Sequence, residues 1–579
     1  MDAPEPAVLR EYALVADGCR GILIGPHGDM AWGCFPCWDD DAVFSDLLGG
    51  EGFYLVCPRD RHSWGGHYEE GTLIWRSRWV TNAADIECRE ALAYPGSPNH
   101  AVVLRRLTTS RGPCAAEVRL QLRRAFGQQP PTQLRRDGDG GWTMRLGELY
   151  VRWSGVRGAR YDERSETFTA VVDLEPDERV DLVLELSTQP LGEPTRADTA
   201  WAATEQAWHQ AVPPMTGRIA VRDCRHSVAV LRGLTAPTGA MVAAATMSLP
   251  ERAGGDRDYD YRYAWLRDQS IVGEAVAAAG IDDLLDAAVR FVVDRVLADG
   301  PDLRPAYRID GGVVPSQLEV ALPGYPGSPD VCLGNRAGQQ FQLDVFGEVL
   351  LLLAAAAEAD RLDADAWKAA GVAAEAIAAR RDEPDSGIWE TTPKWFAHSR
   401  LICAAGLRRI AAAATPGRQT AQWTALADSL LADAAKRCIH PSGRWQRAPD
   451  DDRCDASLLL AQLHGLLAPD DPRSVMTRRV VQEELTVDGY VYRYQVDGQP
   501  LGTAEGAFML CGYWLSRALA QAGADTDARA LFERSRAGCG PAGLFTEEFD
   551  VAQRQMRGNL PQLFVHATML DTAVRLSDR

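Results

Sequence analysis

Carboxylates set beside aromatic rings and arginines, outside any helical repeat, are the residues of this 579-residue chain whose types and spacing could do chemistry. Four stretches have that character. In Asp258-Tyr-Asp-Tyr-Arg-Tyr-Ala-Trp-Leu-Arg-Asp268, the faces of Tyr261 and Trp265 could stack on pyranose C–H surfaces, and Arg267 with Asp268 could bridge neighbouring hydroxyls. The same Arg-Asp pair could equally open a helix. Asp385-Ser-Gly-Ile-Trp-Glu390 is a turn that delivers a carboxylate next to Trp389, an indole that would exclude water and suit a general acid. Its plainer reading is an acid at a helix N-terminus. Gly543-Leu-Phe-Thr-Glu-Glu-Phe-Asp550 holds Glu547 and Glu548 in succession, and in extended backbone only one of them can face a pocket. A solvated acidic loop is the alternative. Tyr492-Arg493-Tyr494, followed by Gly502-Thr-Ala-Glu-Gly-Ala-Phe508, offers Arg493 as a hydroxyl donor, with Glu505 a candidate helix cap. Together the four suggest a sugar-binding site.

Other chemistries find little support. Cys34-Phe-Pro-Cys37 has the spacing of half a zinc site, yet no second such pair completes a ligand set. The ten histidines include no H-E-x-x-H, and His62 and His67 sit in a Gly/Trp-rich loop, so no metal is expected. Gly254-Gly255 and Gly49-Gly50 read as turns, because no phosphate-binding signature accompanies them. A formal net charge of −19 argues against nucleic acid as a partner. The longest apolar run, Val349 to Ala357, is far short of the roughly 20 residues a membrane span needs, so no membrane partner is expected. The first residues show no basic region followed by an apolar core, and the 13 cysteines suit reduced, buried thiols; both point to the cytoplasm. Self-association is left open.

The elements that must position the four stretches fall into two kinds. With 46% hydrophobic and 24% charged residues, the chain has the composition of a globular protein with a sizeable core. From about residue 8 to 190 the hydropathy period is two: Val118, Leu120 and Leu122 alternate with Arg119, Gln121 and Arg123, and Val180, Leu182, Leu184 and Leu186 recur likewise. Breaks such as Asp137-Gly-Asp-Gly-Gly141 and Tyr94-Pro-Gly-Ser-Pro98 separate these runs, which predicts an antiparallel β-sandwich. Residues 198 to 212 read as a helix ended by Pro213-Pro214, with a boundary near 215. Beyond about 225 the period becomes 3.6. Gly280 before Asp282-Asp283, and Gly523 before Asp525, mark a helix end followed by an N-cap acid. About eleven or twelve such helices close most economically as two concentric rings, an (α/α)6 barrel. The domains expected are a sandwich over 1–195, a helical linker over 196–224 and the barrel over 225–579.

At these residues the chain resembles glycoside hydrolase family 15, the glucoamylase, glucodextranase and trehalase-like group of inverting α-glucosidases. The resemblance covers nearly the whole chain. Tyr12-Ala-Leu-Val-Ala-Asp-Gly18 and Asp29-Met-Ala-Trp-Gly-Cys-Phe-Pro36 look like the opening of the bacterial and archaeal trehalase-like members. Ser248 through Glu251, Trp265 through Asp268, Gly334-Asn335 through Asp344, Gly387 through Glu390, Glu505-Gly506 and Gly558 through Gln562 then match in order. The resemblance implies Glu390 as general acid and Glu547 as general base, with Glu548 the fallback. It also implies a glucose pocket lined by Tyr261, Trp265, Arg267, Asp268 and Arg493, beside Trp389, with no cofactor required. An inverting pair would stand roughly 6.5–9.5 Å apart and release β-glucose from the non-reducing end of an α-glucan, α-gluco-oligosaccharide or α-linked disaccharide of the trehalose, isomaltose or maltose type. Cys332 stands where the family often carries a basic residue before the Gly-Asn pair. Two rival readings are an α-glucoside phosphorylase, which needs no base, and a catalytically silent glycan-binding protein.

Overall fold

The computed structural model describes residues 5–138, 140–254, 257–496 and 498–578. Two eight-stranded antiparallel sheets form the N-terminal part. One runs from Ala13–Ala16 at one edge to Arg160–Asp162 at the other, and the second from Thr132–Arg136 to Ser63–Tyr68. They are joined through the interior: Arg105 donates to the Tyr54 and Gly28 carbonyls and to Glu90, and the Trp153 indole donates to the Tyr54 hydroxyl. A charge in that position is tolerated because the Glu90 carboxylate and two carbonyls answer it.

The two-residue period is followed only in part. Val118, Leu120 and Leu122 are buried as expected, but in the strand Arg179–Ser187 Glu185 is buried as deeply as the leucines. Thr195, Arg152 and His100 satisfy its carboxylate, so burial there follows polar pairing as well as hydropathy. Of the turn expected at Gly254-Gly255, Gly254 adopts a left-handed φ of +66°, while Gly255 lies outside the described residues. The same holds for Asp139 within the 137–141 turn.

Helix α1 (Ala197–Ala211) ends before the two prolines. Then follow α2 (Val221–Gly233), α3 (Leu266–Ala279), α4 (Asp282–Asp299), α5 (Asp344–Glu358), α6 (Ala364–Arg380), α7 (Ala397–Ala413), α8 (Arg418–Arg437), α9 (Leu460–Leu463), α10 (Pro472–Glu484), α11 (Met509–Gln521), α12 (Asp525–Arg536) and α13 (Leu563–Ser577). Helices α3, α5, α7, α9, α11 and α13 touch one another in a closed circuit, and the even-numbered helices cover them. This is the (α/α)6 barrel. The ring helices are apolar nearly all round, as in the Val349–Ala357 run of α5, because both their faces are covered. Where α5 meets α7 the backbones come close: a Cβ on Gly406 would stand 2.5 Å from the Gly347 carbonyl oxygen. Gly280 and Gly523 are left-handed, ending helices as expected. Asp282 and Asp525, however, are the first helical residues rather than the N-caps, which are Ile281 and Ala524, so their charge falls in the first turn, where it suits the helix dipole. Among the described residues no helix is long and apolar enough to cross a membrane.

Candidate active site

A cavity of about 800 Å³ opens at one end of the barrel. Its wall includes the residues that begin α3, α11 and α13 and those just before α5 and α7, so the N-terminal ends of five inner helices converge on it. Their unpaired N–H groups and dipoles favour negative charge there. All eight residues singled out from the sequence line this cavity: Tyr261, Trp265, Arg267, Asp268, Trp389, Glu390, Arg493 and Glu547.

Glu390 stands on a loop between α6 and α7, before the first residue of α7 at Ala397 and so not as an acid in that helix's first turn. Paired backbone hydrogen bonds of 2.9 Å between Asp385 and Lys394 close this loop. The Asp385 carboxylate ties it to the barrel by accepting from the Leu343 N–H at 3.0 Å and from Arg400. Gly387 turns the chain at φ +61°, with the Phe396 ring so close that a Cβ would stand 2.7 Å from it. Glu390 itself is left-handed at φ +56°, an uncommon state for a residue with a side chain and one often met at functional sites. Its Oε1 accepts from the Trp265 indole N–H at 2.8 Å and from Arg267 at 3.4 Å. The indole that reaches this carboxyl therefore belongs to Trp265. Trp389, its neighbour in sequence, donates instead to Asp455, at 2.9 and 3.0 Å.

Glu547 immediately precedes the strand Glu548–Asp550, which pairs with Ala507–Phe508 and Gln555–Arg557. The alternation expected of extended backbone is present. Glu547 lines the cavity, whereas Glu548 accepts from the Gly506 N–H at 2.6 Å. The Tyr261 hydroxyl reaches Glu547 Oε2 at 2.8 Å. Burial and the nearby charge of Glu251 push the Glu547 carboxyl well above the usual range, against the pull of Tyr261, Arg493 and Arg267. Tyr261 and Trp265 meet edge to face with ring centroids 5.6 Å apart, so one pair of rings holds one carboxyl each.

Arg267 binds Asp268 Oδ1 at 2.9 Å and the Ile388 carbonyl at 2.8 Å, linking the start of α3 to the Glu390 loop. Asp268 Oδ2 has no hydrogen-bond partner among the described residues, and burial raises this carboxyl to about 6. Arg493 is held by Glu505 through two bonds of 2.8 and 2.6 Å, so Glu505 serves as its counter-ion rather than as a helix cap. Cys332 accepts from Gln317 and does not line the cavity, but Arg336 does, from the far side of the Gly-Asn pair. Glu251, Arg257 and Arg336 were missed by the sequence reading. The Pro250–Gly254 segment reads as a turn, and only Glu251's place in the Ser248–Glu251 match marked it.

The surrounding loops are fastened behind the site. Asn559 accepts from Thr246 at 2.8 Å and donates to the Tyr259 carbonyl at 2.8 Å, which presses the 246–261 loop onto the Glu547 segment. Arg262, fully buried, pairs with Asp260 at 2.9 and 2.8 Å and donates to the Asp40 carbonyl at 2.7 Å; the Trp32 indole donates to the Ala245 carbonyl. Both contacts reach from the sandwich to the back of the cavity wall.

A helical barrel whose inner-helix N-termini surround a pair of carboxyls, aromatic rings and arginines is the framework of an enzyme that cleaves glycosidic bonds. The profile of Glycosyl hydrolases family 15 matches residues 227–574, and that of the trehalase-like N-terminal domain matches residues 4–208. A trehalase from Mycolicibacterium smegmatis is 29% identical over 614 aligned positions that cover 98% of this chain and 91% of that one. An isomaltose glucohydrolase from Kribbella flavida is 30% identical over 293 positions, covering 47% and 69%. The crystal structure of a bacterial glucoamylase complexed with acarbose superposes with a TM-score of 0.76 at 14% identity, covering 100% of this chain and 96% of that one. The chain belongs to glycosyl hydrolase family 15 and is an α-glucoside hydrolase.

Proposed function

We propose that the enzyme is an inverting, exo-acting hydrolase that releases β-glucose from the non-reducing end of its α-glucoside, with Glu390 as general acid and Glu547 as general base. The observation that carries this reading is the placing of two carboxyls from distant parts of the chain in one cavity, each bound to a different ring of the Tyr261–Trp265 pair. Glu390 gives its proton to the glycosidic oxygen. Glu547 draws a proton from a water molecule that attacks C1 from the opposite face, which requires the roughly 6.5–9.5 Å separation of an inverting pair. Asp268 Oδ2 and the guanidinium of Arg267 are suited to the hydroxyls of the terminal glucose, and the rings of Tyr261 and Trp265 to its C–H face.

Trehalose is the first substrate to test, because relatives aligned over nearly the full length are trehalases; isomaltose follows from the Kribbella relative. The experiment is hydrolysis of trehalose, isomaltose, maltose and soluble starch with anomer detection, with and without phosphate, beside Glu390→Gln and Glu547→Gln. Initial β-glucose and a loss of about 10²–10⁴-fold in each variant are expected. α-Glucose as the first product from soluble starch, two α-glucose molecules from each trehalose in place of one α and one β, or a strict need for phosphate overturns the mechanism.

Thirteen free thiols, most of them buried, support a cytoplasmic location. Since α2 starts at Val221, we draw the boundary between the two domains in the segment 212–220 rather than at 224.

A further inference from the structure

The hydroxyl of Tyr261 lies between two carboxylates. It is 2.8 Å from Glu547 Oε2 and 3.0 Å from Glu251 Oε1. Glu251 is 4% exposed and Glu547 6%. The two side chains also share a backing: a Cβ on Gly558 would stand 3.7 Å from Glu251 Cγ and 3.8 Å from Glu547 Cβ, and the left-handed φ of +85° keeps that position for glycine.

A phenol has one proton to donate. If both glutamates were ionised, one would accept from Tyr261 while the other faced the oxygen lone pairs with no hydrogen bond from the phenol. One further proton completes the chain, so that one carboxylic acid donates to the Tyr261 oxygen and Tyr261 donates to the remaining carboxylate. We propose that Glu251 is a positioning residue that holds this proton, turning the Tyr261 hydroxyl toward Glu547 and leaving Glu547 as the ionised member that takes the proton from water. This rests on the reading of Glu547 as the base.

The surroundings favour a shared proton. Arg257 and Arg493 face Glu251, but both are engaged by Glu505, Arg257 at 2.8 Å. Glu505 adds a like charge against Glu251, and Glu548 and Tyr259 interact with it as well. The net effect, led by burial, raises Glu251 to about 7. Burial raises Glu547 as well, against the pull of Arg493 and Arg267, and it is the shorter contact to the phenol that suits Glu547 as the ionised acceptor.

The test is kcat and KM across pH 5–9 for the wild type, Glu251→Gln, Glu251→Ala and Glu547→Ala, with melting temperatures for each. A glutamine amide can donate to Tyr261 permanently, whereas alanine cannot. The expected results are a kcat at least about tenfold higher in Glu251→Gln than in Glu251→Ala, KM within about threefold in both, and an alkaline limb displaced upward by about half a unit or more in Glu251→Gln. Wild-type kcat and pH profile in Glu251→Ala would overturn the proposal. So would equal losses in the two Glu251 variants with an unmoved alkaline limb, the mark of a purely structural role. If Glu251→Ala does not fold, the limb of Glu251→Gln decides alone. An active Glu547→Ala would remove the base assignment itself and the proposal with it, an outcome distinct from the others.

Discussion

Replacing Trp265 by phenylalanine keeps a ring in the wall and deletes the indole N–H that lies 2.8 Å from Glu390 Oε1. While Glu390 holds its proton, that bond is between neutral groups and worth about 1 kcal/mol; once the proton passes to the leaving oxygen, the acceptor is charged and the bond is worth about 1.5–3 kcal/mol. Only the difference, about 0.5–2 kcal/mol, is specific to the transition state. Arg267, at 3.4 Å from the same oxygen, takes up a part of it. At about 1.4 kcal/mol per factor of ten, kcat for a disaccharide should fall about 2- to 30-fold. The assay compares that disaccharide with a nitrophenyl α-glucoside, whose leaving group departs without a proton and should lose less than about twofold. Equal losses on both substrates would refute the reasoning, because the missing N–H would then be acting on something other than proton donation.

Two further outcomes are expected. Glu548→Gln keeps an oxygen for the Gly506 N–H, so its rate should stay within about threefold of wild type; loss of most activity would transfer the role of base to Glu548. Asp344 is buried without a hydrogen-bond partner among the described residues and is raised to about 8 by burial and the neighbouring Asp385 charge. Because its folded value lies above its unfolded one, the folded protein binds the extra proton, and stability should decline as pH climbs from about 4 toward 8. Asp344→Asn should therefore raise the melting temperature at pH 8 and change it little at pH 5, which scanning fluorimetry at the two pH values would check; a wild-type-like loss at pH 8 would contradict it.

The two architectural halves were legible because hydropathy period reports directly on how an element is covered. The eight cavity residues were legible for a related reason: aromatics, arginines and carboxylates gathered where the helical repeat lapses, and the family resemblance then ranked them. What the sequence did not carry is partner choice. Nothing in the order Trp389-Glu390 says that the indole reaching Glu390 comes from Trp265, 125 positions away. Likewise Glu251 looks like one more acid in a turn, and only folding sets it against Tyr261. Glu505 reads as a helix cap because only the folding back of its own connection brings Arg493, 12 positions earlier, against it.

Arg262 is paired within its own loop through Asp260 and anchored to the sandwich through Asp40, next to the tyrosine that touches Glu547. The β-domain is thus part of the mounting of the reaction centre. Exchanging N-terminal halves between relatives should disturb turnover even when every residue facing the sugar is kept. A working hybrid would have to bring the backbone carbonyl at position 40, whatever side chain stands there, to the same place against that guanidinium.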